Sequence, residues 1–288
     1  MTQSPFACPL DGLPLQHHEN SLRCENRHNF DISRYGYANL LPVQLKPSRD
    51  PGDSKAMINA RRRVLESGLF KPLADAVASA IRNLRSTETA SVAPGSLLLD
   101  AGCGEGYYTN VINEALAAGD DSVRVAGIDI SRWAVTAAAK KYPHLDWAVA
   151  NNKQPPVSAG QVWLISCLFG FPTWKPWATL QSPGQHVLVV DAGRDHLLQL
   201  RQQIYPEVRF HEPQREDEAQ ESGYLKTEET QVQFETTVDQ LSLLQDLLQM
   251  TPHGSRAQPE RLGNITQLVN QPLTISASVK EFKLLPNS

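Results

Sequence analysis

Residues 97–109 read Leu97-Leu98-Leu99-Asp100-Ala101-Gly102-Cys103-Gly104-Glu105-Gly106-Tyr107-Tyr108-Thr109. An apolar run of strand length ends in an aspartate, and a turn with glycine at alternate positions follows it. Glycine has no Cβ and adopts positive φ, so such a turn can bend sharply and let a ligand approach the backbone. The stretch therefore predicts a strand, a glycine turn and a helix. Open α/β sheets build ligand sites from this unit, beyond the carboxyl ends of their strands.

Two acidic residues distinguish this turn from the glycine turns that bind dinucleotides. Asp100 stands directly before it, where a carboxylate could face a positively charged ligand group, and the spacing is Asp-x-Gly-x-Gly-x-Gly rather than Gly-x-Gly-x-x-Gly. Asp129 lies near the end of a second apolar run, residues 123–130, where it could accept hydrogen bonds from ribose hydroxyls. These features indicate the nucleoside-binding corner of an S-adenosylmethionine (SAM) methyltransferase. The alternative is an ordinary strand-to-helix turn in an α/β domain without a nucleotide.

The composition is that of a globular chain. Its 288 residues suffice for one large domain or for a domain and a small module, and 41% of them are hydrophobic. No apolar run approaches the roughly 20 residues that cross a bilayer, and the first residues lack the pattern of a signal peptide. Four cysteines do not make a disulfide framework in a chain of this length. We therefore expect a reduced, cytoplasmic setting and no membrane contact.

Charge is distributed unevenly along the chain. The net charge is −4, yet residues 1–72 contain 10 Lys and Arg against 7 Asp and Glu. A modestly basic module joined to an acidic domain is compatible with docking to RNA. Ordinary fluctuation in charge is the alternative.

The N-terminal module contains two short pairs of metal-ligand residues. Cys8-x2-Asp11 and Cys24-x3-His28 have the layout of a zinc ribbon, in which two ligand pairs flank a variable loop. Aspartate is an acceptable but unusual ligand in a structural zinc site. One histidine of the His17-His18 pair could replace it, and a site without metal is the remaining alternative.

A turn-rich linker leads from the module into a predicted helix. Residues 48–54 are rich in turn formers, and residues 55–65 read as a helix with Ser54 as its N-cap. The Arg61-Arg62-Arg63 triplet lies on at least two faces of that helix. Its side chains either form a solvated surface or contact RNA phosphates.

Alternating strands and helices in the remainder predict a parallel, doubly wound sheet. Further strands are expected over 145–149, 162–166, 186–191, 232–238 and 273–282, with a helix over 240–248. The acidic, polar stretch 211–230 reads as a solvated loop.

Several motifs, in the same order as here, resemble the RlmA/RrmA family of 23S rRNA (guanine-N1)-methyltransferases. The resemblance is dense over residues 8–143 and patchy afterwards. The motifs that carry it are Cys8-Pro9-Leu10, Cys24-x3-His28, Asn39-Leu40-Leu41-Pro42-Val43-Gln44, Ser48-Arg49-Asp50-Pro51-Gly52-Asp53, Ala60-Arg61-Arg62 and the glycine turn of residues 100–109.

This resemblance implies a fold, an activity and a partner. The fold class is α/β, a Rossmann-like SAM-dependent methyltransferase domain with a small N-terminal zinc-ribbon-like module. Residues 1–46 would form the RNA-recognition module, residues 47–75 a linker and helix, and residues 76–288 the methyltransferase domain. The implied reaction is methylation of guanine N1 in a hairpin of 23S rRNA. A homodimer is open, since nothing in the sequence decides the oligomeric state.

The resemblance and the motifs together define candidate site residues. The zinc ligands would be Cys8, Asp11, Cys24 and His28, with Asp11 at the position of the family's second cysteine. By resemblance, SAM contacts are expected from Tyr108, Thr109 and His196, and Phe70 stands where the family has an aromatic residue near the cofactor. The full set of expected SAM-binding residues is Phe70, Asp100, Gly102, Gly104, Glu105, Gly106, Tyr108, Thr109, Asp129, Ile130, Asn151 and His196.

The catalytic group is not identified by the sequence. Asp50 and Asp53 are candidates for a base that removes the guanine N1 proton, although turn formation and helix capping also explain them. Residues 161–172, where a target base is expected to sit, are apolar and lack the charges expected there. A SAM enzyme for another RNA or a small molecule therefore stays open, as does a non-catalytic RNA-binding paralogue. The guanine that is methylated and the retention of zinc are also left open.

Overall fold

The predicted glycine turn follows the central strand of an eight-stranded sheet. The computed structural model describes residues 3–46, 48–87, 92–93, 95–117, 123–210 and 216–286. The strands of this sheet, in spatial order, are β11, β12, β10, β9, β6, β7, β8 and β5. Their ranges are β5 Tyr37–Asn39, β6 Leu97–Ala101, β7 Arg124–Asp129, β8 Asp146–Val149, β9 Val162–Leu168, β10 His186–Ala192, β11 Tyr224–Thr237 and β12 Pro272–Leu284.

Parallel pairing brings the carboxyl ends of six strands to one edge of the sheet. Strands β5, β8, β7, β6, β9 and β10 are parallel neighbours, and β12 and β11 complete the sheet in antiparallel pairs. Strand β6 is buried along its whole length, as expected of a strand covered by helices on both faces. The order reverses between β6 and β9, which is where open α/β sheets place ligands.

Helices cover both faces of this sheet and connect its strands. Apolar side chains on each face form one of two large clusters of buried residues. The helices are α1 Lys55–Glu66, α2 Lys71–Thr87, α3 Tyr107–Ala117, α4 Arg132–Lys141, α5 Trp174–Ala178, α6 Leu198–Ile204, α7 Asp217–Glu221, α8 Leu241–Gln249 and α9 Pro252–Arg256, with 3₁₀ segments at Val43–Leu45 and Pro259–Leu268. Among the described residues, none of these helices combines the length and apolarity needed to span a membrane.

The N-terminal module is a small antiparallel sheet attached to the edge of the large one. It consists of β1 Gln3–Ala7, β2 Pro14–His18, β3 Ser21–Arg23 and β4 Asn29–Asp31. Strand β5 comes next in the chain but pairs in parallel with β8, so it extends the large sheet. The domain boundary at residue 46 stays a prediction. Because β5 pairs with β8, the module is connected directly to the large sheet.

The linker helix begins where the sequence predicts. The Oγ of Ser54 accepts a hydrogen bond from the backbone N–H of Met57, the N-cap geometry that satisfies a free helical donor. The preceding Gly52 has φ +82°, and a Cβ there would lie 2.8 Å from the Cβ of Ser131. Close packing of the linker on the start of α4 therefore excludes any larger residue at position 52.

The prediction of a solvated loop over 211–230 is wrong for much of that stretch. Residues 211–215 lie outside the described residues, but 217–221 form α7 and 224–237 form the long strand β11. Most side chains of β11 are exposed, and many of them are polar. The sequence of this stretch therefore resembles that of a loop. Its pairing with β12, from Tyr224 opposite Leu284 to Thr237 opposite Pro272, is a long-range contact that local composition does not reveal.

Candidate functional site

Asp100 lies near the end of the buried strand β6, and its carboxylate is fully enclosed. Its Oδ2 accepts a hydrogen bond of 2.5 Å from the hydroxyl of Thr109, and its Oδ1 accepts one of 2.8 Å from Ser166. Burial raises the pKa of Asp100 to about 6, although both hydrogen bonds oppose this shift. The carboxylate is thus fixed in orientation by α3 on one side and β9 on the other.

Asp129 joins the glycine turn to the start of α4. Its Oδ2 accepts a hydrogen bond of 3.0 Å from the backbone N–H of Gly104, and its Oδ1 accepts one of 2.7 Å from that of Ser131. Burial raises its pKa, and the two backbone donors counteract the rise. Gly104 has φ +57°, which aims its N–H at the aspartate. A carboxylate has about four acceptor positions, so Asp129 keeps acceptor capacity for ribose hydroxyls.

Glu105 is a buried carboxylate beside the same turn. Its Oε2 has no hydrogen-bond partner among the described residues and lies 3.8 Å from a guanidinium nitrogen of Arg61. Burial raises the pKa of Glu105 to about 7, and the charge of Arg61 limits the rise. The hydroxyl of Tyr108 is also buried without a partner in the described structure. Buried polar atoms are nearly always hydrogen-bonded, so these two fit a polar ligand at the turn.

Two of the expected cofactor residues face the protein interior. Thr109 is completely buried and uses its hydroxyl to hold Asp100. A Cβ on Gly106 would lie 2.7 Å from the ring of Trp147, so packing against β8 requires a glycine there. Contact of these two residues with SAM remains a prediction, while Gly102, with φ +90°, lies at the entrance of the turn near Asn152.

An imidazole and two aromatic rings lie beyond the end of β10. The His196 ring is 6.0 Å from that of Phe70 and 5.8 Å from that of Phe169, measured between centroids. Its Nδ1 is 2.8 Å from the carbonyl oxygen of Ser276 and 3.3 Å from the N–H of the same residue, and the shorter contact favours an Nδ1–H that donates to the carbonyl. Burial lowers the pKa of His196 to about 4, so the ring is neutral at neutral pH.

The other expected cofactor residues lie at the ends of β7 and β8. The side chain of Ile130 is close to Gly52, since a Cβ at Gly52 would be 3.0 Å from its Cγ2. Asn151 follows β8 and accepts a hydrogen bond of 3.0 Å from the N–H of Lys153. Both therefore belong to the sheet edge that holds the glycine turn, and their contact with SAM stays a prediction.

Asp50 and Asp53 hold the linker in place. Asp50 accepts a hydrogen bond of 2.9 Å from the indole N–H of Trp133, and Asp53 accepts one of 2.5 Å from Arg61. The carbonyl of Asp53 also accepts a hydrogen bond from Ser131. These contacts give both carboxylates a structural role, and a catalytic role for them stays a prediction.

The arginine triplet is divided between the interior and solvent. Arg61 contacts Asp53 and Glu105, and Arg63 forms a two-point ion pair with Asp246 at 2.5 and 2.6 Å. Only Arg62 of the three has an exposed side chain without an ion pair recorded among the described residues. Sequence reasoning missed the role of Arg61 in the cofactor site, because its acidic partners come from distant parts of the chain.

The four expected zinc ligands converge on one point of the N-terminal module. One ligand atom from each of Cys8, Asp11, Cys24 and His28 lies within 4.8 Å of every other. The Nδ1 of His28 is 3.0 Å from an Asp11 oxygen, 3.4 Å from Cys8 Sγ and 3.5 Å from Cys24 Sγ. Tetrahedral zinc with bonds of roughly 2.0–2.3 Å needs ligand separations of about 3.3–3.8 Å. The cluster fits such an ion with little movement.

Two tight turns present these ligands. The N–H of Gly12 bonds to the carbonyl of Cys8 in the first turn, and the N–H of Arg27 bonds to the carbonyl of Cys24 in the second. Burial raises the pKa of Cys8 to about 11, so its thiol is protonated unless a cation is nearby. Hydrogen bonding, chiefly from Cys8, holds the pKa of Asp11 well below its usual range. Zinc binding would release the thiol proton.

Two family models match parts of the chain. The zinc-ribbon model described as "RlmA, N-terminal" matches residues 6–49, which contain all four clustered ligands. A model described as "Methyltransferase domain" matches residues 98–182, from β6 to beyond β9.

Three curated relatives are similar over much greater lengths. The putative 23S rRNA (guanine-N(1)-)-methyltransferase YxjB of Bacillus subtilis (strain 168) is 28% identical over 281 residues, 96% of each chain. The 23S rRNA (guanine(748)-N(1))-methyltransferase of Streptomyces fradiae is 30% identical over 67% of this chain and 65% of its own. A putative enzyme of the same kind from Micromonospora griseorubida is 30% identical over 67% of each chain. The chain belongs to the RlmA family.

Membership in the RlmA family agrees with the chemistry of both sites. The methyltransferase domain takes SAM as its cofactor, and the glycine turn with Asp129 and the unpartnered Glu105 and Tyr108 atoms offers polar groups for it. The zinc ribbon of this RlmA-family protein has one aspartate among its four clustered candidate ligands.

Substitution of Asp11 tests the zinc site. We expect about one zinc per chain, and we expect Asp11→Cys to bind zinc more tightly because thiolates are softer ligands. Asp11→Ala should weaken binding at least about tenfold, since loss of even an outer partner typically costs that much. Competition with a chromophoric chelator measures all three affinities, and Asp31→Ala, at the exposed end of β4, is the matched control. Equal affinities for wild type and Asp11→Ala would exclude Asp11 as a ligand.

The raised pKa of Glu105 predicts a pH dependence of stability without SAM. The folded protein holds this proton more tightly than the unfolded chain does, so the free energy of unfolding should fall as pH rises from about 4.5 to 7. Urea unfolding at several pH values should show a shallower fall for Glu105→Gln than for wild type. The exposed Glu114→Gln, on α3, should keep the wild-type slope. An unchanged slope in Glu105→Gln would show that Glu105 is not buried as described.

Proposed function

We propose that this protein transfers a methyl group from SAM to N1 of a guanine in a hairpin of 23S rRNA. The observation that carries the proposal is the joint arrangement of the glycine turn, Asp129 and the buried Glu105 Oε2 beside the switch point of the sheet, where Oε2 has no hydrogen-bond partner among the described residues. This arrangement supports a SAM site. The acceptor is inferred from the three relatives, whose names specify guanine N1 of 23S rRNA.

One aromatic residue at the start of α4 supports an RNA substrate. The ring of Trp133 is flanked by the ammonium of Lys55 at 5.5 Å and the guanidinium of Arg132 at 5.3 Å. Lys55 belongs to the linker helix, so the linker and the methyltransferase sheet share this surface. Cations beside an aromatic face can bind phosphates while the ring offers a stacking surface.

A second cluster of the same kind lies two helical turns further along α4. The ring of Tyr35, in the segment between β4 and β5, has Lys140 at 4.3 Å and Arg34 at 4.8 Å. Trp133 and Lys140 are seven residues apart and therefore lie on the same face of the helix, separated by about 10 Å. The two clusters form a basic, aromatic track from the module to the cofactor edge, which fits a folded RNA.

The chain's own residues orient the reactants for transfer. Guanine N1 carries a proton that must leave as the methyl group arrives, so geometry must bring an in-line attack and proton loss together. When bound, SAM supplies a methyl group made electrophilic by the sulfonium charge. Neutral His196 can hydrogen-bond at this edge without adding a second positive charge there. Asp100, whose pKa burial raises to about 6, is ionised at neutral pH and supplies the negative charge that a cationic cofactor prefers.

Methyl transfer from radiolabelled SAM to 23S rRNA lacking its native modifications tests this function. We expect N1-methylguanosine at a single position after nucleoside analysis. Asp129→Asn should reduce transfer roughly 10- to 100-fold, because it removes a charged acceptor from the site. The matched control Asp239→Asn, exposed after the end of β11, should leave the rate unchanged.

The other outcomes separate the competing functions. SAM binding without transfer to rRNA would indicate another acceptor, and loss of both would indicate a non-catalytic RNA-binding protein. A homodimer also stays a prediction, and sedimentation of the purified protein decides it.

A further inference from the structure

The loop after β9 is attached to the edge of the sheet that holds the glycine turn. The N–H of Phe169 donates a 2.7 Å hydrogen bond to the carbonyl of Val190 in β10. A Cβ on Gly170 would lie 3.8 Å from the carbonyl oxygen of Ala101, the last residue of β6. The hydroxyl of Thr173 donates to the carbonyl of Asn152, in the segment after β8. Residues 169–173 therefore lie across the strand ends beside the cofactor turn.

The first residue of this loop has an uncommon backbone conformation. Phe169 has φ +54°, a left-handed conformation that is a real outlier for a bulky side chain. Its ring remains 41% exposed while one side faces His196, 5.8 Å away. Strained residues of this kind concentrate at functional sites, where the surrounding structure holds them in place.

The second aromatic residue of the loop is almost fully exposed. Phe171 is 83% exposed, more than any other large apolar side chain in the part of the chain that the structure describes. Burial of an apolar side chain stabilises a folded protein, and this chain leaves Phe171 in solvent. The loop and its strand contain no charged side chain from residue 162 to residue 172. Recognition here must therefore rely on aromatic faces and backbone groups.

We propose that Phe171, two residues after the strained Phe169, is the stacking platform for the target guanine after it leaves the RNA stack. This inference rests on the proposed function and names the residue that holds its acceptor base. An enzyme that modifies a base edge must take the base out of its stack, and it then holds the base by stacking and hydrogen bonds. A phenyl ring replaces the lost stacking energy without contacting the N1 edge, which stays free to face the cofactor.

Two other roles for Phe171 lead to different results. A residue that covers the cofactor would affect SAM affinity, and an exposed side chain without a ligand would affect neither substrate. Stacking on a base depends on an aromatic ring, so leucine, which is apolar but has no π face, cannot replace phenylalanine. The discriminating set is therefore alanine, leucine, tyrosine and tryptophan at this position.

The experiment measures methyl transfer to unmodified 23S rRNA and SAM affinity for the four variants. Phe171→Ala and Phe171→Leu should lower kcat/KM for RNA roughly 10- to 100-fold, in line with the loss of one base–aromatic contact. Phe171→Tyr and Phe171→Trp should stay within a few-fold of wild type. SAM affinity and Tm should be unchanged throughout. Leu285→Ala, just beyond β12 at the opposite edge of the sheet, is the control for losing an exposed apolar side chain.

Each contrary result overturns the inference in a recognisable way. Wild-type kcat/KM in Phe171→Leu would exclude stacking, and weaker SAM binding in Phe171→Ala would make Phe171 a cofactor residue. Full activity in all four variants would remove any role for it. If the wild-type protein methylates no rRNA, the proposed function fails as well, so the wild-type assay distinguishes that failure from a failure at Phe171 alone.

Discussion

One partly buried arginine joins the linker to the glycine turn. The guanidinium of Arg61 contacts Asp53 at 2.5 Å, Glu105 at 3.8 Å and the carbonyl oxygen of Met250 at 3.3 Å. It therefore joins the linker, the glycine turn and the end of α8. Without the positive charge of Arg61, the carboxylates of Asp53 and Glu105 would repel each other beside the glycine turn. Removing Arg61 would leave the buried carboxylate of Glu105 without a nearby opposite charge, so this contact helps to fix the geometry around it.

The same contact connects RNA recognition to the cofactor. The zinc ribbon reaches the methyltransferase sheet through β5, and the linker after it is attached to α4 by Asp50, Gly52 and Asp53. The basic, aromatic track follows that junction. Because Arg61 ties the linker to the glycine turn, we expect RNA bound along the proposed track to lie next to the edge of the sheet where the SAM site is proposed. We infer that the module and the catalytic domain act as one surface.

Local patterns predicted much of this molecule. The strand, turn and helix around Asp100, the N-cap at Ser54 and the convergence of Cys8 and its three partners follow from spacing and propensity, which depend on nearby residues. The contacts of Arg61 do not follow from local patterns, since Asp53, Glu105 and Met250 lie 8, 44 and 189 positions away. The first part of the long strand β11, residues 224–231, was missed for the same reason: its polar sequence becomes a strand only through pairing with β12. The exposure of Phe171 likewise results from the fold around it.

Binding of SAM to Arg61→Met by calorimetry tests this account most directly. We expect a loss of affinity of at least about tenfold together with a lower Tm, because loss of the guanidinium leaves the buried Glu105 uncompensated. The double variant Arg61→Met with Glu105→Gln should recover part of the Tm, since no unpaired carboxylate remains. Arg62→Met, on the exposed side of the same helix, should match wild type. Wild-type SAM affinity and Tm in Arg61→Met would contradict the central role given to this arginine.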